Sequence, residues 1–352
     1  MNGNELNRPR VLFAILDWGM GHATRSAPLI AHALDQNWIV HVASKGTALA
    51  FLRTEFEGTN VIFHSKPGPE IKYARHGNLL KIALQIPAFL SSIRSEKRWS
   101  VAQVARHNIS HIVSDNCYGV AHPSVPSALV SHQLQLPVPY PLRWLAKAFV
   151  IQQAKRFEAV WVPDTSDFAL SGSLASANPL QHQTSIGVLS RLSLTEEAGP
   201  WNRVGMVSGP EPHRSLMEAA LRQWIMADSS PGLLIAGRPS GQREQEGNMT
   251  VWPNPSRDEL SSALSGATTI VCRSGYSSLL DLAALGKSAI LVPTPGQPEQ
   301  LQLARHWKKR WGMATMSQSE LERGSLPATT GEILAHEPNV LACSVLQGFV
   351  TD

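Results

Sequence analysis

The amino-acid sequence predicts an α/β protein with two doubly wound, Rossmann-like domains. Short apolar runs typical of buried strands alternate with segments of helical periodicity, which indicates βαβ units around a parallel sheet. The alternation begins at residue 10, weakens after residue 165 and resumes near residue 203 of a 352-residue chain, long enough for two domains. We therefore predict a first domain over residues 1–165, a linker over 166–200 and a second domain over 201–352, with the domains facing each other across a cleft. The final helix could pack back on the first domain.

The first half of the chain contains six apolar runs that we interpret as strands. They are RVLFAIL, WIVHVAS, VIFHS, HIVSD, SALVSH and AVWVPD. Helical patterns cover residues 26–34 and 47–53. A long amphipathic stretch over residues 79–108 is expected to break near Pro87, because proline removes a helix hydrogen bond. The polar residues 66–78, which include Gly and Pro, are expected to form a loop.

The second half of the chain repeats this pattern. The predicted strands are RVGMVSG, GLLIAG, TTIVCRSG and SAILVPT, and the predicted helices cover residues 214–224, 259–267, 277–286 and 297–311. Ser277 and Ser278 are good N-cap residues for the third of these helices. Ligands of doubly wound sheets bind outside the carboxyl ends of the strands. Polar residues that directly follow strands are therefore the candidates for function.

The composition argues against several classes of protein. Hydrophobic residues make up 43% of the chain and charged residues 16%, which argues against long disordered segments. The net charge is +4, with the basic residues spread along the chain. A nucleic-acid binder concentrates such charge on one stripe, so no nucleic-acid partner is expected. A mildly basic balance suits anionic substrates or an anionic membrane surface.

The cysteines and the apolar runs bear on metal binding and location. Cys117, Cys272 and Cys343 are far apart and lack the spacing of a zinc site. Their sparse, odd number fits a reducing compartment. The first residues show no apolar signal core, and no apolar run reaches the roughly 20 residues that span a bilayer. We therefore expect a cytoplasmic protein.

The segment TTIVCRSGYSSLLDLAALG, residues 268–286, carries a candidate ligand-binding turn. In it the turn Arg273-Ser274-Gly275 joins a strand to a helix. Glycine lets the backbone approach a ligand closely, and free N–H groups at a helix start bind phosphate. Asp281 on that helix could accept hydrogen bonds from ribose hydroxyls. The alternative is an ordinary strand–turn–helix junction with a capping serine.

Three further loops of the second half follow predicted strands. LVPTPGQPEQLQLA brings Gln297 and Gln300 to a helix start, where their amides could hold a sugar or ribose. The alternative is a plain helix N-terminus with favourable acidic residues. VSGPEPHR turns tightly at Ser208-Gly209, and Arg214 could either neutralise a diphosphate or be a solvated helix residue. LLIAGRPSG ends its strand in a glycine-rich loop.

Together these segments resemble the donor-binding half of GT-B glycosyltransferases, above all the bacterial cell-wall N-acetylglucosaminyltransferase type and its UDP-glucuronosyltransferase relatives. The resemblance rests on Arg273-Ser274-Gly275, Asp281, Gly286, Pro293, Gln300 and Ala304. The chain departs from the family at Asp281, where glutamate is usual, and at Leu303, where asparagine is usual. The resemblance implies a nucleotide-sugar site, with the loop after GLLI beside the nucleobase. The implied donor-binding residues are Gly19, Gly21, Ser208, Gly209, Arg214, Gly237, Arg238, Arg273, Ser274, Gly275, Tyr276, Ser277, Asp281, Gln297 and Gln300.

The stretch DWGMGHATRS after the first strand is similar to the glycine-rich turn that the family has in this place. The resemblance implies that Gly19 and Gly21 leave room for the donor diphosphate and the acceptor. It also implies that His22 touches the acceptor and acts as its general base. An imidazole suits proton removal from a hydroxyl near pH 7, whereas the alternative is a histidine that caps the helix or bonds the loop. Asp17 could orient His22 or cap the turn.

Two other strand ends of the first half carry candidates for the acceptor side and for catalysis. Asp115 ends HIVSD and is either a second base candidate or the former of an Asx-turn. Asn116 follows it directly. His132 follows SALV and either lines the acceptor side or is a satisfied polar residue near the core.

We therefore predict a glycosyltransferase that moves a sugar from a nucleotide sugar, UDP-linked by analogy, to an unknown hydroxyl acceptor that is lipid-linked or a small molecule. The transfer is expected to invert the anomeric centre and to need no metal, since no Asp-x-Asp motif stands near the donor turn. No cofactor is expected. A nucleotide-sugar 2-epimerase on the same fold and a non-catalytic nucleotide-sugar-binding protein remain open. The cationic SEKRW segment also allows contact with the inner face of the membrane.

Overall fold

Two β-sheets with helices around them organise the protein. The computed structural model describes residues 8–68, 79–136, 138, 142–176, 180, 182–238, 241–324, 326–328 and 331–351. Contacts divide this chain into two units: the first holds the described residues up to 189 together with those from residue 339 onward, and the second holds residues 190–338. None of the helices in the described ranges is long and apolar enough to cross a bilayer.

The first unit contains seven described strands in one parallel sheet. Its order is β3-β2-β1-β4-β5-β6-β7. The strands are β1 (Arg10–Ile15), β2 (Ile39–Ser44), β3 (Ile62–Ser65), β4 (His111–Asp115), β5 (Ser127–Val130), β6 (Ala159–Val162) and β7 (Gln183–Ser185). The helices are α1 (Gly21–Asp35), α2 (Gly46–Glu55), α3 (Leu79–His107), α4 (Arg143–Ala154), α5 (Ser173–Ser176) and α11 (Val340–Thr351).

The strand order of the first sheet reverses between β1 and β4. Ile15 at the end of β1 lies beside Asp115 at the end of β4, so both strands deliver their following residues to one point. Buried side chains such as Leu12 and Ile112 fix this register, because a slip would turn them away from the core. Doubly wound sheets bind ligands where the strand order reverses, which makes this point the candidate site of the first unit.

The second unit contains a six-stranded sheet with the order β10-β11-β9-β8-β12-β13. All its strand pairs are parallel except β10 with β11. The strands are β8 (Arg203–Met206), β9 (Gly232–Ile235), β10 (Glu244–Glu246), β11 (Met249–Trp252), β12 (Thr269–Cys272) and β13 (Ile290–Leu291). The helices are α6 (His213–Met226), α7 (Arg257–Gly266), α8 (Tyr276–Leu285), α9 (Pro298–Trp311) and α10 (Gln318–Glu322). Here the order reverses between β8 and β12.

Four local expectations differ from the structure. Helix α3 continues through Pro87, because a proline removes only one hydrogen bond of a helix that is 29 residues long. Residues 173–176 and 183–185, expected as linker, form α5 and β7 in the first unit. The polar loop expected after GLLIAG contains β10 and β11. Part of the loop expected at residues 66–78 lies outside the described residues.

The fourth difference concerns the start of α8, where Ser277 and Ser278 were expected to cap. The N-cap residue is Gly275, and it makes no side-chain cap bond. Both serines therefore lie inside the helix. The hydroxyl of Ser274 does not cap this helix either, since it donates to the carbonyl of Gln300, 2.8 Å away.

Three histidines, His41, His64 and His107, form a cluster of rings in the first unit that we call the histidine cluster. Ring centroids of its members lie 4.9–5.2 Å apart, and Nδ1 of His41 lies 2.9 Å from Nε2 of His64. Burial, followed by the charges of His64, His107 and Arg10, lowers the pKa of His41 to about 4. The pKa values of His64 and His107 are lowered for the same first reason.

Candidate active site

His22 stands at the reversal point of the first sheet, in the first turn of α1. The N-cap residue of that helix is Met20, which makes no side-chain cap bond. The imidazole instead turns to the neighbouring strand, where its Nδ1 lies 2.8 Å from Oδ1 of Asp115. Its side chain is 14% exposed, against 2% for that of Asp115. Of this pair, His22 is thus the member that solvent or a substrate can reach.

Asp115 accepts hydrogen bonds from several side chains of α1. Nε of Arg25 and the hydroxyl of Ser26 each donate to Oδ2 at 2.8 Å, and a terminal nitrogen of Arg25 donates to Oδ1. Burial alone would raise the pKa of this carboxyl, but the charge of Arg25 and the contact with His22 hold it well below its usual range. A carboxylate that resists protonation is a poor general base. The geometry therefore favours an orienting role for Asp115 over both roles expected from the sequence.

Arg25 and Ser26 are functional candidates that sequence reasoning missed. They follow His22 by three and four residues, which puts all three side chains on one face of a helix. The signal was present in GHATRS but is common on helices. A terminal nitrogen of Arg25 also lies 3.0 Å from Nδ1 of His132, a side chain that is 4% exposed. The fold thus joins the predicted residues His22, Asp115 and His132 through one guanidinium.

Asp17 and Asn116 lie near this network; Asp17 does not orient His22, and an acceptor-side role for Asn116 stays a prediction. The carboxylate beside Nδ1 of His22 is that of Asp115 and not that of Asp17, because β1 and β4 are neighbours. Oδ2 of Asp17 instead lies 3.3 Å from where a Cβ on Gly46 would be. Asn116 has a left-handed φ of 54° and donates its N–H to Val130. Its buried Oδ1 has no hydrogen-bond partner among the described residues.

The two glycines of the opening turn have different roles in the backbone. Gly19 has a φ of 92°, which favours glycine, and a Cβ there would meet nothing within 4 Å among the described atoms. Gly21 begins α1. Among the described atoms, the space beside Gly19 is thus open; that it receives a diphosphate or the acceptor stays a prediction.

In the second unit, three turns that follow β8, β12 and β13 meet at Gly209. Ser208 and Gly209 are exposed, and Gly209 has a φ of 101°. A Cβ on Gly209 would lie 3.3 Å from Oγ1 of Thr294 and 3.8 Å from Nε of Arg273. Both polar atoms are buried and lack a hydrogen-bond partner among the described residues. We call Gly209 with these two atoms the Gly209 cradle; Thr294 was not predicted.

Arg273 holds the loops of the second unit together instead of reaching out with its terminal nitrogens. One of them donates to the carbonyls of Val292 and Pro293 at 3.3 and 3.4 Å. The other donates to the carbonyl of His213 at 2.8 Å and to Oε1 of Gln318 at 2.7 Å. The side chain is buried, and burial lowers its pKa to about 10. The Nε atom is the part of Arg273 that faces the Gly209 cradle, where the sugar donor was predicted to bind.

The glutamines of the next loop bind each other and the backbone. Oε1 of Gln300 accepts from the N–H of Thr294 at 2.8 Å, and its Nε2 donates to Oε1 of Gln297 at 2.6 Å. They shape the loop before α9. Close by, Gly275 precedes α8 without a side-chain cap, and the nearest atom to a Cβ there would be Nε2 of Gln300 at 3.9 Å. Helix α8 then begins with the buried Tyr276 and the half-buried Ser277.

Three other residues of the second unit that were predicted to bind the sugar donor form hydrogen bonds or ion pairs within the protein. Asp281 accepts a hydrogen bond from Ser190 at 2.6 Å, and burial raises its pKa to about 6. Arg214 donates to the carbonyl of Ala236 and lies 3.8 Å from the carboxylate of Glu211. Arg238, after the left-handed Gly237, donates to Glu218. In the described part of the chain, no group of three or more His, Cys, Asp or Glu side chains is placed to hold a metal ion.

Several solved structures with a similar fold are glycosyltransferases. The glycotransferase of kitacinnamycin matches with a TM-score of 0.62 at 14% identity, covering 98% of this chain and all of that one. MurG of Acinetobacter baumannii matches with a TM-score of 0.51 at 15% identity, covering 90% and 89% of the two chains. These likenesses establish the fold: an α/β protein with two Rossmann-like domains of the GT-B type, as predicted.

The sequence of the second half is similar to one family of these enzymes. Residues 240–343 match the glycosyltransferase family 28 C-terminal domain. The UDP-N-acetylglucosamine--N-acetylmuramyl-(pentapeptide) pyrophosphoryl-undecaprenol N-acetylglucosamine transferase of Syntrophotalea carbinolica is 31% identical over 110 residues, which are 29% of this chain and 31% of that protein. The chain thus spans about a third of the length of this curated relative. These matches confirm the predicted resemblance.

Proposed function

We propose that the protein transfers a sugar from a UDP-sugar to a hydroxyl acceptor, with inversion at the anomeric carbon and without a metal ion. The observation that carries this proposal is the pair of His22 and Asp115, 2.8 Å apart at the reversal point of the first sheet. A partly exposed imidazole backed by a buried carboxylate is the arrangement that activates a hydroxyl as nucleophile. It has no evident use in a protein that only binds a nucleotide sugar.

The proposed reaction is a single displacement. Nε2 of His22 takes the proton of the acceptor hydroxyl while that oxygen attacks the anomeric carbon. The new C–O bond forms as the bond from the anomeric carbon to the diphosphate oxygen breaks, and the electron pair leaves with UDP. Attack from the face opposite the leaving group inverts the anomeric centre. Asp115 stabilises the positive charge that His22 gains.

The second unit supports the donor half of the proposal. In the Gly209 cradle, Nε of Arg273 and Oγ1 of Thr294 are buried hydrogen-bond donors without a partner among the described residues. Such donors bind a diphosphate and stabilise the charge that develops on it as it leaves. Because hydrogen-bond donors of the protein can stabilise the charge on the leaving diphosphate, they support a reaction without a metal ion. The UDP-N-acetylglucosamine named for the curated relative supports a UDP-sugar as donor, and we propose Asp281 as the partner of the ribose.

Exposed apolar side chains of the first unit support an acceptor with an apolar part, such as a lipid-linked sugar. Trp18 stands three residues after the end of β1, is 37% exposed and lies with its ring 6.2 Å from that of Phe89. Trp144 and Leu145 at the start of α4 are 68% and 48% exposed. Tryptophan is favoured where an apolar surface meets water at a membrane. We accordingly propose a peripheral position at the cytoplasmic face of a membrane.

The first experiment is calorimetric titration with UDP, TDP, GDP and ADP, followed by assays of nucleotide release from the matching sugars. We expect micromolar UDP binding, and UDP release from a UDP-sugar that depends on an added hydroxyl acceptor such as a lipid-linked sugar. His22→Gln should bind UDP as before and lose turnover. His32→Gln on the same helix, whose ring packs on Trp38, is the matched control.

The other possible outcomes of this experiment would each argue for a different function. Binding of none of the four nucleotides would remove the donor assignment. Conversion of the UDP-sugar to its 2-epimer without an acceptor would identify an epimerase. UDP binding without any turnover of any sugar would leave a binding protein, and full turnover by His22→Gln would exclude His22 as the base.

A further inference from the structure

Arg25 is the centre of the buried network in the first unit. Its guanidinium contacts both oxygens of Asp115, comes within 2.9 Å of Nδ1 of His22 and within 3.0 Å of Nδ1 of His132. The side chains of Arg25 and Asp115 are each 2% exposed. No role in the proposed transfer has yet been assigned to this arginine. Its chemistry restricts where the protons of the two histidines lie.

The contact with His132 fixes the tautomer of that ring. A guanidinium has hydrogen-bond donors and no acceptor, and it stays protonated in proteins. Nδ1 of His132 can take part in this contact only as an acceptor. Its ring proton must then be on Nε2.

The contacts of His22 lead to the opposite tautomer. Its Nδ1 has an acceptor, Oδ1 of Asp115, at 2.8 Å and a donor, the Arg25 nitrogen, at 2.9 Å. One nitrogen cannot donate to the first and accept from the second at once. The same Arg25 nitrogen also donates to Oδ1 of Asp115. A deprotonated Nδ1 would face the anionic Oδ1 at 2.8 Å with two lone pairs opposed, which is unfavourable. Nδ1 of His22 therefore carries the proton and donates it to Asp115, which leaves the lone pair on Nε2.

We propose that Arg25 is a positioning residue that holds His22 and His132 in opposite tautomers, with the proton on Nδ1 in His22 and on Nε2 in His132. The branched, planar guanidinium matters because a single side chain must donate hydrogen bonds to Asp115 and to His132 at the same time. In the proposed transfer, this leaves His22 with a free nitrogen for the acceptor proton. Only this kinetic consequence depends on the proposed function; the tautomers themselves do not.

The tautomers are measurable in the full-length protein without any substrate. In protein labelled with ¹⁵N-histidine, long-range ¹H–¹⁵N correlation spectra distinguish protonated from unprotonated ring nitrogens. His22→Gln and His132→Gln variants assign the two sets of signals. We expect a protonated Nδ1 in His22 and an unprotonated Nδ1 in His132 at neutral pH. Either ring in the other tautomer in the wild-type protein would overturn the proposal, whether or not Arg25 variants fold.

Variants of Arg25 test its influence on the reaction. Arg25→Lys keeps the charge but not the fork, and Arg25→Met removes both. For both variants we expect kcat to fall by about 100-fold, the cost of a misplaced catalytic group, with UDP affinity unchanged within about twofold because the donor site is in the other unit. In both variants the His132 signals should no longer report a single Nε2–H tautomer. Arg53→Lys on α2, at an exposed position, is the control.

The two proposals fail in distinguishable ways. Wild-type kcat in Arg25→Lys would mean that charge alone suffices and would overturn the positioning role. Absence of turnover in the wild-type protein would refute the proposed function, while the spectra would still decide the tautomers. Loss of UDP binding in the Arg25 variants but not in Arg53→Lys would mean that Arg25 acts on the fold as a whole, which also overturns the proposal.

Discussion

Replacing Asp115 with asparagine should damage stability and activity by separate routes. The substitution keeps the shape of the side chain but removes the charge that faces Arg25. It also replaces one acceptor oxygen with an NH2 group. The carboxylate accepts from Nε of Arg25 and from Ser26 at 2.8 Å, and both members of the ion pair are 2% exposed. Asp115→Asn therefore leaves a buried positive charge without its counter-ion.

The expected loss of stability is about 3–5 kcal/mol, the range for removing one partner of a buried ion pair. For a unit of this size, that corresponds to a fall of roughly 6–20 °C in the melting temperature. The expected loss in kcat is about 10⁴-fold. An asparagine amide facing Nδ1 of His22 would donate to it, and the ring proton would move to Nε2. His22 would then have no free nitrogen for the acceptor.

Calorimetric melting and steady-state kinetics of the full chain measure the two effects. Asp164→Asn is the matched control, because Asp164 is also a buried carboxylate of the first unit. It accepts from the N–H groups of Leu170 and Ser171 at 2.9 and 2.7 Å. We expect this control to lower the melting temperature and to leave kcat of the folded enzyme within about twofold of wild type, since the residue lies outside the His22 network.

Three results would refute this reasoning. An Asp115→Asn enzyme with kcat within tenfold of wild type would show that the carboxylate does not set the state of His22. An unchanged melting temperature would show that Arg25 does not depend on Asp115 for its charge compensation. A loss of kcat of the same size in Asp164→Asn would mean that activity follows stability alone.

Three further predictions concern the backbone, acid stability and donor binding. Gly237→Ala should lower the free energy of unfolding in urea by about 1–3 kcal/mol more than Gly247→Ala. Both glycines have a positive φ, but a Cβ at residue 237 would lie 2.7 Å from the Val207 carbonyl oxygen, whereas one at residue 247 would meet nothing within 4 Å. Equal losses of stability in the two variants would contradict the close approach at residue 237. The pKa of His41 is lowered to about 4, so the unfolded chain binds more protons between about pH 6.5 and 4, and the unfolding free energy should fall as the pH falls through this window. His41→Phe should flatten that slope, and an unchanged slope would exclude the histidine cluster as its source. Burial raises the pKa of Asp281 to about 6. UDP affinity should therefore weaken as the pH falls below about 6, because only the carboxylate accepts two ribose hydrogen bonds, and Asp281→Asn should bind UDP weakly at every pH. Strong, pH-independent binding of UDP by Asp281→Asn in calorimetry would remove Asp281 from the site.

Much of the fold was predictable because the central strands of each sheet are buried on both faces. HIVSD was predicted as a strand and is β4, with the same ends. Parallel strands covered by helices form continuous apolar runs, which a sequence displays directly. Three strands were missed, β7, β10 and β11, and two of them, β7 and β10, with the sequences QTS and EQE, are short and polar. They exist because a neighbouring strand offers hydrogen bonds, and no local pattern records that.

The sequence predicted which residues lie in the candidate site, but not which of them contact each other. His22 and Asp115 stand out in the sequence because each follows or ends an apolar run, and strand ends carry ligands in this fold class. Their contact across 93 residues of sequence depends on β1 lying beside β4. The sequence equally allowed Asp17 as the partner of His22. Strand order excluded it.

Burial decided the remaining roles. The sequence alone determined that an arginine follows β12 and that another stands three residues after His22, and it determined the alternation that makes both units α/β. Only the tertiary structure decided that Arg273 is enclosed by carbonyl groups and that Arg25 is enclosed by a carboxylate and two histidines. A charged group taken out of water must find acceptors. Which acceptors are within reach is set by segments far apart in the chain.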